Sequence, residues 1–124
     1  MGAVTAMSVR AARGAIRVGA DTKDAVLDAT ERLLREILSR NELDVEQLVS
    51  VFFTATEDLR SVFPAEAARR IGLTAVPLLC ALEISVHGSM PSVVRVLVHF
   101  QSDRKLEEIE HVYLDGAEAL RDDR

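Results

Sequence analysis

A single α+β domain is the fold class that this sequence predicts, with a mixed β-sheet, one long helix and a few short helical turns. Three observations carry that expectation. One long stretch has apolar residues at helical spacing, Val26, Ala29, Leu33 and Ile37, with Leu34 and Leu38 widening the stripe. Shorter apolar stretches bounded by turn residues read as strands around it, in the order β-α-β-α-β-β-β. The length, 124 residues, makes one domain able to bury roughly two-thirds of its unfolded surface.

Residues 1–7 read as a flexible leader, with Met7 as an alternative start, and residues 8–124 as the domain. Ser8 to Val18 is a first strand, weak in propensity because Ala and Arg crowd it. Asp21 or Thr22 can cap the long helix, which spans about five turns and ends near Asn41. Asp44 opens a turn, with Gln47 at capping-box spacing. Leu48 to Ala55 is a buried strand, and Glu57-Asp58-Leu59 begins a loop. Pro64 suits the first turn of a short helix, and Gly72 follows its end.

Leu78 to Val86 is a third strand, His87 to Pro91 a turn, and Val93 to Gln101 a fourth strand. Those two strands are expected to form a hairpin. Leu106 to Ile109 is a helical turn, His111 to Leu114 a last strand, and Gly116 to Arg121 a closing turn. One long helix cannot cover both faces of the sheet. The uncovered face must be polar or must be buried by another subunit.

Composition narrows the function. Aromatics are 4% with no Trp, so no stacking platform for bases is in evidence. A net charge of −5 argues against a general nucleic-acid or membrane-surface role. One cysteine excludes an internal disulfide and suits a reducing compartment. The start lacks the apolar core of a signal peptide, and no run approaches the ~20 residues of a membrane span. A soluble, cytoplasmic protein is the expectation.

The polar residues on the strands point to a site. Arg95 interrupts the apolar run Val93 to Val98. A permanent cation is expensive there unless something anionic meets it. Strand alternation puts Val94, Val96, Val98 and Phe100 on one face and Val93, Arg95, Leu97 and His99 on the other. In the third strand Glu83 shares a face with Leu79 and Ala81, opposite Leu78, Cys80 and Leu82.

Glu83 and Arg95 therefore form either a salt bridge within the sheet or two ends of one ligand pocket. Cys80 points away from Glu83, so one chain can hardly aim both at the same ligand unless the site lies between subunits. His87, His99 and His111 lack the short spacings of a metal site. Gly14 and Gly19 are isolated rather than part of a phosphate loop. Cys80 within an apolar strand is ordinarily core rather than nucleophile. The basic residues are 13 Arg and 2 Lys, and guanidinium groups grip carboxylates bidentately. These features imply an anionic ligand and a site free of cofactor and metal, but they leave the reaction unnamed.

Five stretches together resemble one family. They are Arg10-Ala11-Ala12-Arg13-Gly14-Ala15, then Ala55-Thr56-Glu57-Asp58-Leu59 with Val62-Phe63-Pro64-Ala65, then Val76 to Glu83 with its Cys-x-x-Glu, then Val94-Arg95-Val96, then His111-Val112-Tyr113-Leu114 with Ala117, Leu120 and Arg121. In this order, over about residues 8 to 121, they resemble the small trimeric chorismate mutases of the pseudo-α/β-barrel (AroH) class.

The resemblance implies a pseudo-α/β-barrel homotrimer with interfacial sites and no cofactor. Phe63, Ala65, Leu78, Leu79 and Cys80 would line each site from one subunit. Arg13, Glu83, Arg95, Tyr113, Leu120 and Arg121 would come from its neighbour. Arg69 would approach the ligand from a mobile loop. Glu66 stands where the family can carry a lysine, which places electrostatic help from that position in doubt. The tail ends at Arg124, which suggests a short lid.

The reaction so implied converts chorismate to prephenate, with Arg95 and Glu83 as the residues closest to the chemistry. Two other readings stand beside it. One is a trimeric enamine/imine deaminase, whose motifs are not visible in the chain. The other is a non-enzymatic trimer that senses an aromatic carboxylate metabolite.

Overall fold

The chain folds around one helix laid on a sheet whose strands are not in sequence order. The structure, a computed structural model, describes residues 7–122. The expected flexible leader therefore lies, apart from Met7, outside the described residues. Strand β1 spans Ser8–Arg17, helix α1 Lys23–Arg40, strand β2 Leu48–Ala55, helix α2 Ala65–Arg70, strand β3 Leu78–Leu82, strand β4 Val93–Ser102 and strand β5 Val112–Leu114. Short 3₁₀ turns occupy Val45–Gln47, Leu106–Glu108 and Ala117–Asp122.

Helix α1 begins as the sequence suggests. The Thr22 hydroxyl accepts a hydrogen bond from the Ala25 N–H at 3.1 Å, and Asp24 and Arg40 suit the helix dipole at the two ends. Its buried stripe is Val26, Leu27, Thr30, Leu33, Leu34 and Ile37. Asn41 closes it: the side-chain amide donates to the Ile37 and Glu110 carbonyls, and its oxygen accepts from the Glu110 N–H. That side chain ties the helix end to the approach of β5. Gln47 likewise accepts from the Asp44 N–H at 2.9 Å.

The five-stranded sheet runs β3-β2-β4-β1-β5. Strand β4 pairs antiparallel with β1 and β2, while β3 lies parallel to β2 and β5 parallel to β1. The helix-facing side joins Ala12, Gly14 and Ile16 of β1 to Val94, Val96, Val98 and Phe100 of β4, and to Val51 and Phe53 of β2. Phe53 and Phe100 are fully buried there. Gly14 is needed for the close approach of α1, because a Cβ at this position would lie 2.8 Å from Ile37 Cδ1 and 2.9 Å from the Val112 carbonyl oxygen.

Several expectations need correction. Strands β3 and β4 are not a hairpin, since β2 lies between them. Burial explains why: β4 is buried or half-buried along nearly its whole length and takes the centre, whereas β3 exposes Leu79 and Leu82 and takes an edge. Strand β3 also stops at Leu82 rather than Val86, although Glu83 still donates its N–H to the Ala55 carbonyl at 2.9 Å. The last strand starts at Val112, not His111, and the closing turn is a 3₁₀ helix over Ala117–Asp122. Strand β1 ends one residue earlier than read, and β4 one later.

Among the described residues, no α-helix lies on the other face of the sheet. Ala11, Arg13, Ala15, Ser50, Phe52, Thr54, Arg95, Leu97, His99 and Tyr113 share it by register. Only at one end does the 3₁₀ tail cover it, where Ala117 packs with Ala15 and Val93, joined by Met90, Tyr113 and Leu120.

Candidate active site

All five strands contribute to one cavity of about 480 Å³ on the open face. Arg13 comes from β1, Arg95 and Leu97 from β4, Phe52 and Thr54 from β2, Tyr113 from β5, and Glu83 from just past the end of β3. Ala15 pairs with both Arg95 and Tyr113, so β1 sets the spacing between the guanidinium and the phenol. Arg13, Thr54, Arg95 and Tyr113 are therefore placed by strand register, which holds functional groups more accurately than loops do, while Glu83 lies just beyond its strand.

Arg95 and Glu83 meet, but not across the hairpin that the sequence suggested. Thr54 of β2 sits opposite Arg95 on β4 and opposite Ala81 on β3. The ladder bond from Glu83 to Ala55 keeps Glu83 alongside the end of β2. Glu83 Oε1 lies 3.0 Å from Arg95 Nε, and the Thr54 hydroxyl donates a hydrogen bond to Glu83 Oε2. The two side chains keep 33% and 23% of their exposure, so the pair is screened by water on one side rather than sealed in the core. Sequence reading missed Thr54; period-two alternation from Phe52 would have placed it on this face. It also missed His111, whose Nδ1 accepts the Arg13 N–H at 3.0 Å and steadies the β1 end of the cavity.

The remaining expected site residues lie elsewhere on the same chain. Phe63 and Cys80 line a second cavity of about 560 Å³ with Leu59, Arg60, Ala81 and Leu82. Leu82 borders both cavities. Ala65 is buried in α2, and Leu78 and Cys80 pack against the main core, while Leu79 is exposed on the opposite side of β3. Glu66 borders the second cavity from the first turn of α2, and Arg69 is exposed in its last turn. Leu120 packs beside Tyr113 in the tail cluster, and Arg121 is exposed on the 3₁₀ tail.

The loop bearing Phe63 is fastened from a distance. Asp21 accepts from the N–H groups of Arg60 and Ser61 and from the Ser61 hydroxyl. Those bonds, the Ser61 hydroxyl foremost, hold the Asp21 carboxyl below its ordinary range. Asp58 does the same for the far side of the site. Hydrogen bonds from Thr56 and then Ser92 lower its carboxyl, and they join the end of β2 to the start of β4. Arg32 grips Asp115 bidentately at 2.6 and 2.8 Å, which lowers that carboxyl too and pins the turn leading into the tail.

Two guanidiniums, a phenol and one carboxylate around an open, partly apolar cavity suit a compact ligand that carries carboxylates and a hydroxyl. Known proteins narrow this further. The family profile described as chorismate mutase type I matches residues 9–124. A chorismate mutase AroH of Thermus thermophilus is 50% identical over 116 residues, covering 93% of this chain and 95% of that protein. A chorismate mutase AroH of Bacillus subtilis (strain 168) is 38% identical over 118 residues, covering 94% and 93%. Among solved structures, a chorismate mutase from Clostridium thermocellum superposes with a TM-score of 0.88 at 41% identity, covering 90% of this chain and 99% of that one.

Proposed function

Because the chain belongs to the chorismate mutase type I family, we propose that the Arg13–Glu83–Arg95–Tyr113 cavity is one half of a chorismate-binding site. The protein is a chorismate mutase, an isomerase of aromatic amino acid biosynthesis, on the strength of its family and relatives. Neither of the rival readings, metabolite sensor or enamine/imine deaminase, finds support among them.

The reaction is a concerted Claisen rearrangement. As the ether C–O bond of chorismate breaks, a C–C bond forms within the same molecule, giving prephenate. No protein atom needs to bond to the substrate and no proton needs to move. The protein must hold the compact conformer and stabilise the negative charge that grows on the ether oxygen. Arg95 supplies that stabilisation. Its Nε is engaged by Glu83, and its Nη groups are assigned to the ether oxygen. Glu83 accepts from the ring hydroxyl and orients the ring. Arg13 and Tyr113 bind a carboxylate and the enolpyruvyl group. Cys80 is a neutral contact and Phe63 and Leu120 apolar wall, with Ala65, Leu78 and Leu79 beside them. Arg69 and Arg121 add attraction for the dianion.

A homotrimer completes the site in this reading. Phe63 and Cys80 open onto a different cavity from Arg95, so a neighbour's Phe63–Cys80 surface would close the Arg95 cavity. The uncovered sheet face and the exposed Phe63, Leu79, Leu82 and Ile84 give such a neighbour apolar surface to bury. No helix among the described residues is long and apolar enough to cross a membrane, and the lone thiol suits the reducing cytoplasm.

The co-location of Arg13, Glu83, Arg95 and Tyr113 carries this reading. Loss of chorismate ultraviolet absorbance, blocked by a transition-state mimic, tests the activity. Light scattering should give about three times the 13.6 kDa chain mass. Full activity in a stable monomer would refute the shared site.

A further inference from the structure

The geometry points to Thr54 as a positioning residue that sets the Glu83 carboxylate against Arg95, an inference that rests on the chorismate-binding reading above. Glu83 lies one residue beyond the last strand residue of β3, where Ile84 and Ser85 leave the sheet. At a strand end its long side chain has several rotamers to choose from, and a carboxylate oriented by a single ion pair would swing about that contact. Thr54 removes the freedom. Its hydroxyl donates to Oε2 while Arg95 Nε pairs as an ion with Oε1, so each carboxylate oxygen has its own partner.

Thr54 is well suited to the task. It is the register partner of Arg95 on one side and of Ala81 on the other, in the second strand of a five-stranded sheet. Its backbone therefore cannot shift without moving both neighbours. A β-branched side chain in a strand is also stiff at χ1, so the hydroxyl is aimed before ligand arrives. Serine would keep the donor with a looser rotamer, and valine would keep the shape and lose the donor. With Thr54 in place, Glu83 can offer its carboxylate to a ring hydroxyl in one fixed orientation. Hydrogen bonds to charged groups, and outer partners that orient reactive groups, typically change function by roughly ten- to a hundredfold when removed.

The test is a double-mutant cycle on chorismate turnover in the assembled protein. Thr54→Val should lower kcat/KM by about ten- to a hundredfold, and Thr54→Ser should recover most of that loss. Against a Glu83→Ala background the same Thr54→Val change should cost less than about twofold, because the acceptor that it orients is gone. Thr54→Ala replaces valine in the cycle if the valine protein fails to assemble. An equal loss in both backgrounds, a Thr54→Val protein as active as its parent, or no recovery with serine would each overturn the proposal. If the parent itself does not consume chorismate, the reading of the whole cavity falls; if the parent is active and the cycle is additive, only the role of Thr54 falls.

Discussion

Arg95 offers the sharpest trial of the electrostatic mechanism. The side chain is only partly exposed and faces a cavity, so an effective dielectric nearer 20 than 80 applies. A unit charge at about 4 Å is then worth about 4 kcal/mol, and an ether oxygen carrying roughly half a charge in the transition state gains about 2. The directed N–H adds to this, which agrees with the ~10²–10³-fold usually lost with one preorganised donor. Removing Arg95 also leaves the Glu83 carboxylate uncompensated beside a dianionic substrate, so the loss should fall at the upper end. Arg95→Ala should therefore depress kcat heavily while weakening substrate binding much less. Arg95→Lys keeps the charge without the planar fork and should restore only part of the rate. Citrulline at position 95 keeps the shape and most donors but carries no charge. Steady-state kinetics on the folded, assembled protein decide the matter. A citrulline protein that turned over chorismate like its parent would show that charge at this position is not what drives the reaction.

Other expectations follow from the same geometry. Cys80→Ser should keep most activity if, as proposed, the thiol is only a neutral wall of the site; a covalent adduct in the mass spectrum would contradict this. Gly14→Ala should destabilise the fold by about 1–3 kcal/mol in urea titration, since the Val112 carbonyl behind the new methyl cannot retreat as a side chain could. Asp21, Asp58 and Asp115 are all held below the ordinary carboxyl range by hydrogen bonds or Arg32. The unfolded chain therefore takes up protons first as acid is added. The stability that these groups contribute is present above about pH 4 and is lost as pH falls through their folded values. Asp21→Asn with Asp115→Asn should flatten that acid slope in thermal melts, and an unchanged slope would show that these bonds do not matter to stability.

Much of the fold was legible because local rules act within single elements. A cap at Asp21 or Thr22, the Val26-to-Ile37 stripe and an end near Asn41 outline α1 from capping and period alone, and the structure settles the cap on Thr22. Alternation alone separated Arg95 from Val94 and Val96, since side-chain direction in a strand does not depend on which strand lies alongside. The residues that fix the family's likeness were likewise readable one stretch at a time. Strand neighbours were not. Placing β2 between β3 and β4 depends on which strands can be buried on both faces, a comparison across the whole chain that no local window contains. For the same reason the Glu83–Arg95 contact was expected for a hairpin that does not exist, and is made instead directly across β2, where Thr54 bonds the other carboxylate oxygen. Sequence by itself determined the elements, the faces of their side chains and the chemistry those side chains could offer; only the tertiary structure decided which of them meet, because sheet order is set by long-range burial and not by the residues of any one strand.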